Sequence, residues 1–149
     1  QRAFSYAPIG RPQLDVNLCP DVCLVKLTPG TKPELFDAVK TLGYRGVVVE
    51  GFGAGGVPFQ GRNLVPKVEN LIQTGIAVAI TTQCLSGGSD LTLYEVGQKA
   101  LKTGAIPAYD MATEALVTKL MWALGQTTDL AEVARIMLTN YVGEISLPK

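Results

Sequence analysis

Apolar residues in this chain fall into two kinds of block that alternate along its length. Short continuous runs, VCLVKL from Val22 to Leu27, GVVVEG from Gly46 to Gly51 and AVAITT from Ala77 to Thr82, read as strands. A strand covered on both faces has no reason to alternate apolar with polar, so unbroken runs point to a buried parallel sheet. Between them the apolar positions recur at helical spacing. Thr31-Lys32-Pro33-Glu34 has the form of a capping box, with threonine at the N-cap and glutamate three residues on. Leu35, Val39 and Leu42 then supply a stripe, and Gly43 stops the helix. A second helix is expected around Asn63 to Thr74, carrying Leu64, Val68, Leu71 and Ile72 and ending at Gly75. A third is expected from Leu91 to Thr103, ending at Gly104. After AIPAYD, a short extended segment, two helices close the chain. Leu116, Leu120 and Leu124 follow Asp110 as N-cap, and Leu130, Val133 and Met137 follow Thr128 or Asp129.

Strands alternating with helices imply an α/β fold: a small three-layer sandwich whose parallel sheet of about four strands is flanked by helices. Crossovers should be right-handed, and a doubly wound sheet would carry ligands at the carboxyl ends of its strands. The repeated units differ too much for a solenoid. Residues 1–20 hold Pro8, Pro12 and Pro20 and show no helical period. They read as an irregular lead-in, a linker in a longer parent, ahead of one domain over 21–149.

Composition narrows the chemistry. Apolar residues make up 47% and charged residues 17%, which suits a packed globule and not a disordered chain. Net charge is zero with no like-charge block, so no nucleic-acid partner is expected. No apolar run is long enough to span a bilayer and the amino terminus lacks a signal-peptide pattern, so no membrane partner is expected either. The chain has no histidine, which removes Ser-His-Asp and Cys-His nucleophiles and histidine metal sites. No metal or other cofactor is expected. Three cysteines, Cys19, Cys23 and Cys84, favour free thiols in a reducing, cytoplasmic compartment, with a Cys19–Cys23 disulfide as the alternative.

The candidate site is the end of the third strand. Thr81, Thr82, Gln83 and Cys84 should face Glu50 and the glycine turn Gly51 to Gly56. Hydroxyls, an amide and a carboxylate together suit a zwitterionic amino acid, or a polar contact with another domain. The plainer alternative is that the threonines satisfy loop backbone groups. Cys84 has no base to activate it. The G-x-G-x-G spacing in the turn is a weak nucleotide signal, because Pro58 and Gly61 delay the helix. Tyr94 and Glu95 sit near the start of the third helix, within reach of the same edge, although Glu95 and Lys99 also make an i, i+4 surface pair. Trp122 reads as core or subunit interface.

From Tyr44 to Ser146 the ordered pieces GVVVEGFGAGGVP, TTQCLSGG, YEVGQKALKTGAIP, DMATEALVTKLMWALG and TNYVGEI resemble the C-terminal domain of type I, cytoplasmic bacterial L-asparaginases. The resemblance implies two-domain subunits in a homodimer or homotetramer, hydrolysing L-asparagine to aspartate and ammonia. It implies an N-terminal asparaginase domain as partner, carrying the nucleophilic threonine in TGGTI-like and TDT-like motifs. Neither motif occurs here, so no catalytic residue is expected in this chain. In periplasmic relatives an asparagine of the glycine turn reaches a neighbouring active site, and Gly56 takes that position. Some cytosolic relatives bind a regulatory asparagine with an arginine and the threonine and cysteine of TTQC. Thr82 and Cys84 match, and Glu50 takes the arginine's place. The competing readings are a stand-alone amino-acid-binding regulatory module and the related domain of a glutamyl-tRNA amidotransferase subunit.

Overall fold

The computed structural model describes residues 14–84 and 87–147. Four strands, β1 (Val22–Lys26), β2 (Gly46–Gly51), β3 (Ala77–Thr82) and β4 (Ile106–Pro107), form one parallel sheet in the order β1-β2-β3-β4. Helices α1 (Glu34–Thr41), α2 (Val65–Gln73) and α3 (Glu95–Lys102) connect them, and α4 (Thr113–Gln126) and α5 (Leu130–Leu138) follow β4.

The sheet divides the core in two. On one face Val47, Val49, Val78 and Ile80 pack with Phe36 and Val39 of α1, Leu64, Val68 and Leu71 around α2, and Ala100 of α3. On the other, Val48, Ala77 and Ala79 pack with Leu116, Leu120 and Leu124 of α4 and Val133, Ile136 and Met137 of α5. All three crossover helices therefore lie on one face. This corrects the doubly wound arrangement expected from the sequence. A monotonic strand order with right-handed crossovers stacks every crossover on the same side. After β4 the chain passes to the opposite face, where α4 packs across β1 and β2.

Helix ends show what sequence signals did and did not decide. Gly43, Gly75 and Gly104 stand at φ of +81°, +87° and +93°, the left-handed conformation that ends a helix without a Cβ clash. Asp129 caps α5, accepting from the Ala131 amide at 3.0 Å. The capping box at Thr31 does not form. The Thr31 hydroxyl accepts from the Thr28 amide at 2.8 Å inside a turn, and α1 starts later, behind Pro33. The stripe of α1 is also different: Phe36 and Val39 are buried, while Leu35 and Leu42 are exposed. Asp110 does not cap α4; its Oδ1 accepts from the Ser146 amide at 2.7 Å. Helix α3 begins at Glu95, because Asp90 holds Thr92 in a turn through both its amide and its hydroxyl. The three cysteines are free thiols. Trp122 is half-buried, edge-on to Tyr141 with ring centroids 5.3 Å apart.

Candidate functional site

The strand register places Lys26, Glu50 and Thr81 in one row across the carboxyl edge of the sheet. Side chains alternate along a strand, so this row shares its face with Val48 and Ala79, the face that α4 covers. Helix α4 runs antiparallel to the strands: Leu124 lies against Gly46 at the start of β2, and Thr113 meets Glu50 near its end. The first turn of α4 and the sheet edge thus enclose a cleft of about 860 Å³. Its floor is Lys26, Glu50 and Thr81; its walls are Gly87 and Gly88, the Tyr109–Met111 turn, and Thr113, Glu114 and Thr118.

Glu50 is held through both of its carboxylate oxygens. One carboxylate oxygen accepts from the Thr113 hydroxyl at 2.9 Å, and the other lies 3.4 Å from the Lys26 ammonium. The carboxylate also sits by the amino end of a 14-residue helix, where negative charge is favoured. Lys26 is largely exposed, so its pairing with Glu50 is screened by solvent. At the back of the cleft Tyr109 has φ of +50°, a conformation that costs a non-glycine residue energy. Its carbonyl accepts from both the amide and the hydroxyl of Ser89, at 2.6 and 3.1 Å, which holds the turn in place.

Thr81, Thr82, Gln83 and Cys84 all line this cleft with Glu50, but their polar atoms do different work. The Thr82 hydroxyl donates to the Gly53 carbonyl and accepts from the Cys84 amide. The Cys84 thiol reaches the same carbonyl at 3.6 Å. Gln83 donates to the carbonyls of Leu27 and Glu50, at 2.6 and 2.9 Å, and ties the ends of β1 and β2 together. These three residues hold the loops around the cleft. Glu50 and Thr81 present side chains to it from the floor.

Tyr94 and Glu95 are not brought to this cleft. Tyr94 lines a separate groove of about 490 Å³ with Phe52, Gly56, Pro58 and Phe59. Glu95 pairs with Lys99 at 2.8 Å, and that ammonium lies 3.8 Å from the centre of the Phe59 ring. The hydrogen bond from Lys99 and its positive charge hold the Glu95 carboxyl below its ordinary range. Gly56 borders the same groove, and a Cβ there would crowd the Phe52 carbonyl and Val96. Sequence reasoning missed Lys26, Thr113 and Tyr109. The exposed end of β1 and the threonine opening α4 become a signal only once α4 is known to cross β1 and β2.

The sequence pattern of the glutaminase/asparaginase C-terminal domain family matches residues 21–137. The chain belongs to that family. An L-asparaginase of Thermococcus kodakarensis is 51% identical to this asparaginase-type domain over 137 residues, which is 92% of this chain and 41% of that protein. A polypeptide of the glutamyl-tRNA(Gln) amidotransferase of Pyrococcus furiosus is 44% identical over 137 residues, 92% of this chain and 31% of that one. A solved structure of the thermostable L-asparaginase from Thermococcus kodakarensis superposes with a TM-score of 0.89 at 48% identity, covering 97% of this chain and 44% of that chain. The domain spans less than half the length of these relatives. Among its described residues no helix is long and apolar enough to cross a membrane.

Proposed function

We propose that this chain is the C-terminal domain of an L-asparaginase, an amidohydrolase converting L-asparagine to L-aspartate and ammonia. The observation that carries the reading is the 51% identity to an L-asparaginase across 92% of the chain. In this reading residues 1–20 join 21–149 to an N-terminal domain that supplies the nucleophilic threonines, and this half completes the active site and the subunit interface. The parent is a cytoplasmic homodimer or homotetramer of the type I class. The relatives from Thermococcus and Pyrococcus are archaeal, so the bacterial type I assignment rests on the resemblance of the sequence motifs and not on these relatives.

The isolated chain is expected to fold and to release no ammonia from L-asparagine. Joined to its N-terminal half it is expected to do so, as an ammonia assay on both forms checks. Turnover by the isolated chain that vanishes on changing Thr81 or Thr82 would show that the chemistry is here instead.

The cleft at Glu50 is proposed to take a small amino acid as effector, and Glu50 to make it a poor one for asparagine. The Glu50 carboxylate, half-buried against Thr113 and beside Lys26, opposes a ligand carboxylate in the same space. Glu50→Arg replaces repulsion with a charge-assisted pair, a change of about 1.5–3 kcal/mol in binding. Calorimetry with L-asparagine is expected to show weak or no binding by the unaltered domain and tighter binding by the variant. The reverse order would mean that the carboxylate is recognising a ligand ammonium.

The similarity to an amidotransferase polypeptide supports a second reading, the corresponding domain of a tRNA-dependent amidotransferase. A parent that releases ammonia from glutamine chiefly when charged tRNA and its partner subunit are present would favour it.

A further inference from the structure

The lead-in to the domain is pinned to α4. The Asp15 carboxylate accepts from the Trp122 indole N–H at 2.8 Å, and the Gln126 side-chain amide donates to the Asn17 carbonyl at 3.1 Å. The Cys19 amide donates to the Met121 carbonyl at 2.9 Å, and Cys19 itself is buried. A helical side chain covers the turn on the amino-terminal side of its own Cα. The residue that would cover the Met121 carbonyl is the one a turn later, Gly125. A Cβ at Gly125 would overlap the Asn17 carbonyl and crowd the Leu18 amide. Glycine is unfavourable inside a helix, and here it opens the notch through which the lead-in backbone passes. The Asn17 amide and the Trp122 indole also hold the Asp15 carboxyl below its ordinary range.

The outward side of this strap is apolar. Leu14, Val16 and Leu18 are 91%, 70% and 54% exposed. A free interdomain tether is polar and makes few contacts. This one has a clamped backbone and three bare aliphatic side chains.

We propose that residues 14–19 are a docking edge for the preceding half of the parent polypeptide, which meets Leu14, Val16 and Leu18 with an apolar surface. Gly125 and Trp122 are its positioning residues. The inference rests on the two-domain reading of the parent. Two facts select this occupant. The chain accounts for 41% of the length of the related asparaginase, and the strap stands immediately ahead of residue 21, where the family match begins. Whatever precedes the domain therefore enters along this strap. Fixing the strap fixes the angle at which the two halves meet, and so the alignment of the active-site groups that each contributes.

The test uses two proteins. In the 149-residue chain, Trp122 is the only tryptophan, so its emission reports the strap. Gly125→Ala is expected to shift that emission and to speed exchange of the Cys19 amide by about tenfold or more. An effect on helix propensity alone would strengthen α4 and leave the Cys19 amide protected. In the full-length parent, the combined variant Leu14→Ser, Val16→Ser, Leu18→Ser is expected to loosen the domain arrangement seen by small-angle scattering. It should also lower kcat/KM for asparagine by about 10- to 100-fold. Isoleucine at the same three positions should restore both. Parental scattering and kcat/KM in the serine variant would overturn the proposal. So would a fall in oligomeric state with domain arrangement and activity per protomer intact, which would assign the edge to a second copy. A parent with no amidohydrolase activity would remove the proposed function, while scattering and exchange would still decide the role of the strap.

Discussion

Replacing Lys119 with methionine is expected to destabilise the domain by about 3–5 kcal/mol, the usual consequence of stranding one partner of a buried ion pair. Lys119 lies in the middle of α4, and only 7% of its side chain is exposed. Its ammonium donates to the Thr139 carbonyl and to Glu144, both at 2.5 Å, and lies 5.2 Å from the centre of the Tyr141 ring. Glu144 is 12% exposed and also accepts from the amides of Tyr141 and Val142. One carboxylate thus folds the TNYVGEI segment back onto α4, and without Lys119 it is a buried charge. Changing both residues, Lys119→Met with Glu144→Gln, should recover part of the loss, because no charge is then stranded. Burial by itself would raise the Glu144 carboxyl, but the Lys119 ammonium and the loop amides outweigh it and take it down from 4.5 to about 2. A depressed carboxyl contributes stability above its unfolded value and loses it on acidification. The contribution is therefore complete above about pH 4.5 and disappears as pH falls through about 2. Urea unfolding of the parent and the single and double variants, repeated at neutral and acid pH, measures both effects. A Lys119→Met variant within about 1 kcal/mol of the parent would mean that the pair contributes no more than a surface bridge does.

Phe36→Ala is the second large effect, at about 3–5 kcal/mol. Phe36 is 1% exposed and packs α1 onto the face of the sheet that carries Val47, Val49 and Val78. Truncation removes an aromatic ring and leaves a cavity between two layers that cannot close on it. Leu42→Ala, one turn and a half later, should change stability by no more than about 0.5 kcal/mol, because Leu42 is 73% exposed. Denaturation midpoints at an unchanged m-value separate the two. Equal losses at both positions would contradict the placement of α1.

That pair of residues also shows where the sequence stopped being legible. Leu35, Phe36, Val39 and Leu42 are all apolar, so two overlapping stripes fit one helical period. Leu35, Val39 and Leu42 form one; Phe36 and Val39 form the other. The period says that a stripe exists. Which of the two is buried depends on where the sheet lies. The capping box at Thr31 fails for a similar reason. Its hydroxyl serves equally well in a turn, and the turn between β1 and α1 uses it.

The candidate site divides the same way. Glu50, Thr81, Thr82, Gln83 and Cys84 share a cleft because they end neighbouring parallel strands, and runs such as GVVVEG and AVAITT already disclose that. The residues that give the cleft its chemistry come from elsewhere. Thr113, the Glu50 partner, is 63 residues away, and Lys26 comes from the far edge strand. Tyr94 and Glu95 follow the same sheet edge in sequence, yet the turn at Asp90 delays α3 and sends Tyr94 to the neighbouring groove.

By itself, then, the sequence determined the order of the elements, the burial of β2 and β3 on both faces, the helix ends at Gly43, Gly75 and Gly104, and the family to which the ordered motifs belong; β1, an equally apolar run, is an edge strand that leaves Leu24 exposed. Each of these depends on residues a few positions apart, so local rules reach them. Only the tertiary structure decided that every crossover lies on one face, that α4 returns over β1 and β2 to close the cleft, that Gly125 admits the lead-in backbone, and that Lys119 meets Glu144. These contacts join segments distant in the chain. They follow from the packing of whole layers, in which one apolar stripe is chosen over another and a glycine's missing side chain becomes space for a second backbone.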